Sequence, residues 1–244
     1  MKLRIAVWLS VFLVGSLGVA RADQTKTDAV DRLQSSAKSI SEILAAPDKG
    51  IPDEVLKGAK CIAVVPSLIK GAFFVGGKHG RGVSTCRLPN GKWSAPDFFD
   101  ISGGSFGLQF GAEDVQLVIM VMTDDGMRHL LNNKFQIGGT ASATAGPVGR
   151  TAQAGVSWKV DTDFLTYSRT HGLFAGIDLG GAWIEHDKDS TVALYGKDYD
   201  NTQLLTGKVA VPAVPAAHEF LAEIHKAELA DHNKSARATQ PTQP

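Results

Sequence analysis

Apolar residues recur at three- and four-residue intervals over residues 24–46, at Val30, Leu33, Ala37, Ile40 and Leu44. That period predicts an amphipathic helix, which Pro47 and Gly50 end. Pro52 to Lys57 reads as a short second helix closed by Gly58. The pattern then shortens to that of strands. Cys61–Val65 and Ala72–Val75 are brief apolar runs, and Asn90-Gly91 is a hairpin signal between Val83–Leu88 and Trp93–Phe99. Phe106, Leu108 and Phe110 share one face at period two, and Val115–Met122 is apolar enough for a buried central strand. Asp124-Asp125-Gly126 breaks that run before one or two helical turns at Met127–Leu131. Strand-like pieces return at Ala154–Val160, Phe164–Arg169 and Leu173–Ile184. A closing helix starts at Pro215 with Ala217, Phe220, Leu221 and Ile224 on its apolar face, and the polar stretch after Asp231 reads as a disordered tail.

Helix, many strands, helix is the order of an α+β domain. Between Gly71 and Gly181 lie 20 of the chain's 26 glycines, and glycines along strands permit strong bending. The expectation is a strongly curled, largely antiparallel sheet or partly closed barrel, flanked by N- and C-terminal helices. Ile137–Gly146 is almost wholly Gly, Ala, Ser and Thr. Small residues there admit either close packing of another element or an acyl chain beneath Phe135 and Phe174. An outer-membrane barrel fits less well, because its strands alternate apolar and polar residues and Val115–Met122 does not.

The first 22 residues change the compartment. Lys2 and Arg4 precede an uncharged run from Ile5 to Leu17, followed by Ala20-Arg21-Ala22. This is the pattern of a secretory signal peptide cleaved after Ala22, and the run is shorter than the roughly 20 residues a spanning helix needs. The expected organisation is signal 1–22, one domain 23–230 and tail 231–244. Loss of Lys2, Arg4 and Arg21 takes the net charge from 0 to −3, far from the basic excess of a nucleic-acid binder. Export also bears on the two cysteines, Cys61 and Cys86. In an oxidising compartment they form either a disulfide or two buried thiols.

Chemical motifs are sparse. Gly103-Gly104-Ser105-Phe106-Gly107 matches the hydrolase elbow Gly-x-Ser-x-Gly, which needs a strand before the serine and a helix after it. Strand-like alternation follows Ser105 instead, so a hydrolase with Ser105 as nucleophile is the minor reading. Gly76-Gly77-Lys78-His79-Gly80-Arg81-Gly82 reads as a tight glycine turn with solvated cations, or as a phosphate cradle outside the P-loop spacing. The pairs Asp161/Asp163, Asp187/Asp189 and Asp198/Asp200 suit turns and helix caps and lack the closing Glu of a calcium loop. No metal site, cofactor motif or enzymatic constellation is expected.

Several motifs occur in order: Gly80-Arg81-Gly82, Trp93-Ser94-Ala95-Pro96, Gly107-Leu108-Gln109, Asn133-Lys134-Phe135, Ala145-Gly146-Pro147-Val148-Gly149-Arg150 and Tyr167-Ser168-Arg169-Thr170-His171-Gly172-Leu173-Phe174-Ala175-Gly176. Together they resemble the SYLF domain, the Ysc-type actin-binding or lipid-binding domain, over about residues 30 to 229. The resemblance implies a non-enzymatic protein that binds phosphoinositides or other anionic phospholipids through an amphipathic N-terminal helix and basic residues; some members bind actin. This chain's helix mixes Lys26, Arg32 and Lys38 with Asp28, Asp31 and Glu42, and an exported protein does not meet actin.

The candidate headgroup contacts are Lys70, Lys78, Arg81, Lys134, Arg150 and Arg169. Candidate apolar contacts are Val30, Leu33, Ile40, Leu44, Phe135 and Phe174. The helix face either docks on a membrane or packs on the sheet. The expected partner is a phospholipid or membrane surface, in the periplasm or envelope of a Gram-negative bacterium. The alternative is an envelope interaction module with no lipid ligand and an unknown protein partner.

Overall fold

The computed structural model describes residues 3–44, 51–73, 75–105, 111–139, 141–146, 162–170, 173–175, 177 and 179–238. Helix α1, Leu3–Leu44, is one unbroken helix. Ala29, Leu33, Ala37, Ile40 and Ile43 form its buried stripe, and Arg32, Ser36 and Ser39 are buried with them. Among the described residues no helix is long and apolar enough to cross a membrane. Helix α2, Asp53–Gly58, follows Pro52 as expected.

The sheet opens with two long antiparallel strands, β1 (Cys61–Phe73) and β2 (Val75–Cys86). Two expectations are corrected here. Cys61–Val65 and Ala72–Val75 are not separate strands: β1 runs through Pro66, where its register with both neighbours shifts, as far as Ala72 and Phe73, and Val75 opens β2. Gly76–Gly82 is not a turn but the first half of β2. Its glycines serve approach rather than bending. A Cβ at Gly82 would lie 2.3 Å from the Phe99 ring and 2.7 Å from the Val64 carbonyl. The turn at Asn90-Gly91 stands, with Gly91 at φ 78°.

Strands β3 (Asp97–Ser105) and β4 (Gly111–Val121) complete the centre. The 106–110 alternation lies outside the described residues, as does Ala154–Val160. Helix α3, Asp124–Leu130, begins on the acidic pair expected to be a break, because the Thr123 side chain accepts from the Gly126 amide and caps it. The short strands β5 (Lys134–Gln136), β6 (Ala143–Ala145), β7 (Phe164–Thr170), β8 (Leu173–Ala175) and β9 (Trp183–His186) follow. The strand order is β5-β9-β3-β2-β1-β4-β7-β6, with β8 on β7; only β6–β7 is parallel. The sheet curls, giving the α+β architecture expected.

Helices α4 (Lys188–Tyr195) and α5 (Asn201–Leu205) were not foreseen, although the caps that start them, Asp187 and Asp200, were. Helix α6, Pro215–Ala238, lies against α1 and continues as helix beyond Asp231, where the sequence suggested a tail. Lys234, Ala236, Arg237 and Ala238 favour helix there and no proline intervenes before Pro241.

The sheet has a core on each face. One, with Ile62, Val64, Phe98, Val118 and Tyr167, is covered by α1 and α6. The other, with Val65, Leu68, Ile101, Leu117 and Phe164, lies within the curl. The small-residue segment is packed rather than hollow where it is described. A Cβ on Gly146 would fall 2.1 Å from Cζ of Tyr167, and Phe135 stacks on Phe164 at 5.7 Å.

Candidate functional site

The four central strands give the sheet two unlike ends. At one, Cys61 pairs with Cys86 and with Val121, and Cys61 and Cys86 form a disulfide. At the other, roughly 40 Å away at 3.3 Å per residue, Phe73 faces Val75 across the hairpin, Ala72 pairs with Gly111, and Gly76 with Ser105. The β7–β8 pair, with Thr170 opposite Leu173, stops short of that end, because β7 runs antiparallel to β4 with Arg169 beside Gln116, midway along it.

Two of the candidate cations lie toward this end, whereas Arg169, beside Gln116, lies midway along the sheet. Lys70 and Lys78 are register partners on β1 and β2. Lys70 Nζ lies 3.6 Å from Glu113. Lys78 is buried, and its Nζ donates to the Gly180 carbonyl at 3.3 Å. Arg169 reaches Glu42 of α1 at 3.4 Å, and Gln116 donates to the same carboxylate at 3.0 Å. The Nε of Arg169 is buried and has no hydrogen-bond partner.

Arg81 and Lys134 sit elsewhere, in one cross-strand row. Arg81 pairs with Asp100, Asp100 with Glu185, and Glu185 with Lys134. Both cations are held by carboxylates: Arg81 by Asp100 at 3.4 Å and Asp187 at 3.1 Å, Lys134 by Glu185 at 2.8 Å. Lys134 also lies 5.5 Å from the ring of Trp183, which is 41% exposed. Arg150 is outside the described residues. Of the apolar candidates, Leu33, Ile40 and Phe135 are buried and Val30 is half-buried against the core; the side chains of Leu44 and Phe174 are outside the described set.

A buried polar cluster joins α1 to the sheet, and sequence reasoning missed it. Arg32 donates to Asp187 and to Ser190, each at 3.0 Å, with its guanidinium 5.2 Å from the Phe98 ring. Asp187 also accepts from the backbone and hydroxyl of Ser190. Burial pushes the Asp187 carboxyl up, but the Ser190 bonds and the Arg32 charge outweigh it and hold the group below the usual carboxylate range. Burial lowers the Arg32 guanidinium against the pull of Asp187. The signal for Arg32 was present: positions 29, 32/33, 36, 40 and 43 make one helical stripe.

Beside it, His186 Nδ1 lies 2.8 Å from Asp97. Burial depresses the imidazole, yet the bond and charge of Asp97 raise it overall; burial raises Asp97. This pair offers nothing to Ser105. Asp97 and Ser105 are the two ends of β3, roughly 26 Å apart at 3.3 Å per residue, and the next described element after Ser105 is strand β4. Among the described residues no group of three metal-ligating side chains occurs.

A family model described as "Ysc84: Las17-binding protein actin regulator" matches residues 102–227. "SH3 domain-containing YSC84-like protein 1" of Rattus norvegicus is 35% identical over 191 residues, covering 74% of this chain and 56% of that protein. The Homo sapiens protein of that name is 33% identical with the same coverage. "Protein YSC84" of Saccharomyces cerevisiae is 31% identical over 206 residues, covering 83% of this chain and 43% of that protein. The chain thus spans about half the length of the curated relatives it matches.

Proposed function

Since the chain belongs to the Ysc84 family of SYLF-domain proteins, we infer that it is a binding module rather than an enzyme, exported to the cell envelope, where it attaches to anionic phospholipid. The observation behind this reading is half-buried Lys70, register partner of Lys78 on β1 and β2 toward the hairpin end of the sheet. Lysine suits phosphate groups as a point charge. Arg81 and Lys134 are held closer to carboxylates, at 3.1 Å and 2.8 Å, than Lys70 is to Glu113 at 3.6 Å.

Co-sedimentation of the purified chain with vesicles tests the function. Binding to phosphatidylglycerol-containing vesicles should exceed binding to pure phosphatidylcholine and weaken with salt, and Lys70→Glu should reduce it. Absence of binding to both compositions, with no lipid co-purifying by mass spectrometry, would defeat it. Export is tested by the mass of the protein recovered from the periplasmic fraction, which should begin at Asp23.

A protein partner is the second reading. The yeast relatives carry names such as "LAS seventeen-binding protein 3", a property of those proteins. Here the favouring observation is Trp183, exposed on the sheet's outer region beside Lys134, since tryptophan is enriched among interface anchors. Pull-down from an envelope extract that Trp183→Ala abolishes would support it.

A further inference from the structure

We propose that the outer face of the sheet beside α1 is a docking strip for one amphipathic helix of a partner protein, anchored on Ile69 and Trp183. The proposal rests on the protein-partner reading above and names the surface and the kind of segment it takes.

Register assembles the strip. Asp114 pairs with Ile69, Ile69 with His79, His79 with Ser102, Ser102 with Trp183, and Trp183 with Gln136. Six strands thus give one residue each to a single cross-strand row. The row lies on the outer face, because successive strand residues point to opposite faces and the neighbours Leu68, Ile101 and Ile184 belong to the core within the curl. A Cβ on Gly80, next to His79, would likewise meet Leu68 and Val65 of that inner core. Ile69 is 55% exposed and Trp183 41%, and His79, Ser102 and Asp114 are exposed with them. The other large hydrophobic residues exposed among those described, Val192 and Leu229, stand on separate helices and form no row.

A second row on the same face is glycine. Gly71 pairs with Gly77 and Gly77 with Gly104, two residues beyond Ile69, His79 and Ser102. Among the described residues nothing lies within 4 Å of a Cβ on Gly71 or Gly104, and only a carbonyl at 4.0 Å from one on Gly77. Glycine backbone admits close approach of another element.

Helix α1 supplies a wall. Gln116 donates to Glu42, and Arg81 shares Asp187 with Arg32. Gln116 and Arg81 stand two residues, roughly 7 Å, before Asp114 and His79. Helix α1 therefore crosses the strands along the row next to the strip. Helix α6 lies on its other flank, toward the disulfide, where Glu228 accepts from Trp93. Neighbouring helices pack about 8–10 Å apart, which would set a further helix over the two exposed rows.

Size and charge select the occupant. Five strand spacings make the strip roughly 24 Å long, the length of about 16 helical residues. Two rows give it roughly 300 Å², well below the about 800 Å² per partner of a stable dimer. A bilayer is flat on this scale, and α1, about 10 Å thick with its side chains, stands between it and the floor of the strip. Lys134 is matched by Glu185 at 2.8 Å, so the β9 end offers no cationic excess to anionic lipid. At the β4 end exposed Asp114 favours a basic residue on the helix. Ile69 and Trp183 are three strand spacings apart, roughly 14 Å. A helix spans that with apolar residues at i, i+3, i+7 and i+10.

The probe is a phage-displayed library of 16-residue peptides selected on the full chain. Enriched peptides should carry apolar residues at that spacing with a basic residue at one end, and should become helical on binding by circular dichroism. Ile69→Asp and Trp183→Ala should each weaken them roughly tenfold or more, and Val192→Asp should not. Enriched peptides that stay extended, or that bind Ile69→Asp as well as wild type, overturn the strip. No enrichment, while an envelope extract still yields a Trp183-dependent partner, overturns the strip and leaves the protein-partner reading standing. Failure of both experiments removes both. If Ile69→Asp abolishes vesicle binding and no peptide is enriched, the occupant is a bilayer; if it changes only the sedimentation of the chain, the occupant is a second copy. Either result overturns the proposal. Cys61 and Cys86 are bonded to each other and are the chain's only cysteines. Should a variant not fold, quenching of a fluorophore on Ser102→Cys by a quencher-labelled peptide decides.

Discussion

Arg32 and Asp187 form a buried ion pair whose two halves are unequally replaceable. Each side chain is 5% exposed and their separation is 3.0 Å. Replacing Asp187 with Ala leaves the Arg32 guanidinium buried with only the Ser190 hydroxyl and the Phe98 ring as neighbours named above. It also removes the cap of α4, where Asp187 accepts from the Ser190 amide. An uncompensated buried charge costs about 3–5 kcal/mol and a lost N-cap about 1 kcal/mol. The expected loss for Asp187→Ala is therefore about 4 kcal/mol or more, equivalent to a fall in Tm of roughly 10 °C for a domain of this size.

Arg32→Met is the gentler change. Asp187 keeps the Arg81 guanidinium at 3.1 Å and both Ser190 bonds, and the methionine stem preserves packing, so about 1–2 kcal/mol should be lost. Urea unfolding of both variants and of the double variant measures the asymmetry. The double variant should be more stable than Asp187→Ala alone, because it deletes the orphaned charge. If Arg32→Met proves as costly as Asp187→Ala, or if the double variant loses the full sum, buried-charge desolvation is not what governs this cluster.

Reducing the Cys61–Cys86 bond, which closes a separation of 25 residues, should lower stability by about 3.5 kcal/mol on the loop-entropy relation, read as a shifted urea midpoint with and without reductant. His186 has a raised folded-state pKa from an ordinary 6.5, so its stabilisation is complete below that value and lost as pH rises through the folded one; His186→Gln should flatten the urea midpoint's decline above pH 6.5. Gly146→Ala would drive a Cβ into the Tyr167 ring and should cost on the order of 1–3 kcal/mol by thermal melt. Tyr167→Phe removes a buried hydroxyl that has no hydrogen-bond partner and should leave Tm unchanged or raised.

The helices at both ends, the central strand at Val115–Met122 and the fold class were legible because period and length carry them. The strand at Gly76–Gly82 was not. Glycine and charge in sequence look like a turn, and only the packing of Val65, Leu68 and Phe99 against Gly80 and Gly82 shows why strand backbone needs glycine there. Asp187 was legible as a cap, but its second role needs Arg32, 155 residues away in sequence. The cations were individually visible. Their placement depends on register, which puts Glu185 beside Lys134 and Lys70 opposite Lys78. No local pattern encodes that.

The same register separates stability from binding. The disulfide and the contacts of α1, the Arg32–Asp187 cluster included, act on the stapled end and the middle of the sheet. Toward the hairpin end Ile69 is 55% exposed, and among the described residues nothing lies within 4 Å of a Cβ on Gly71. Removing an apolar group already in water forfeits almost no transfer energy. Ile69→Ser should therefore leave the urea midpoint within about 0.5 kcal/mol of wild type. A destabilised Ile69→Ser would show that the side chain packs against the fold.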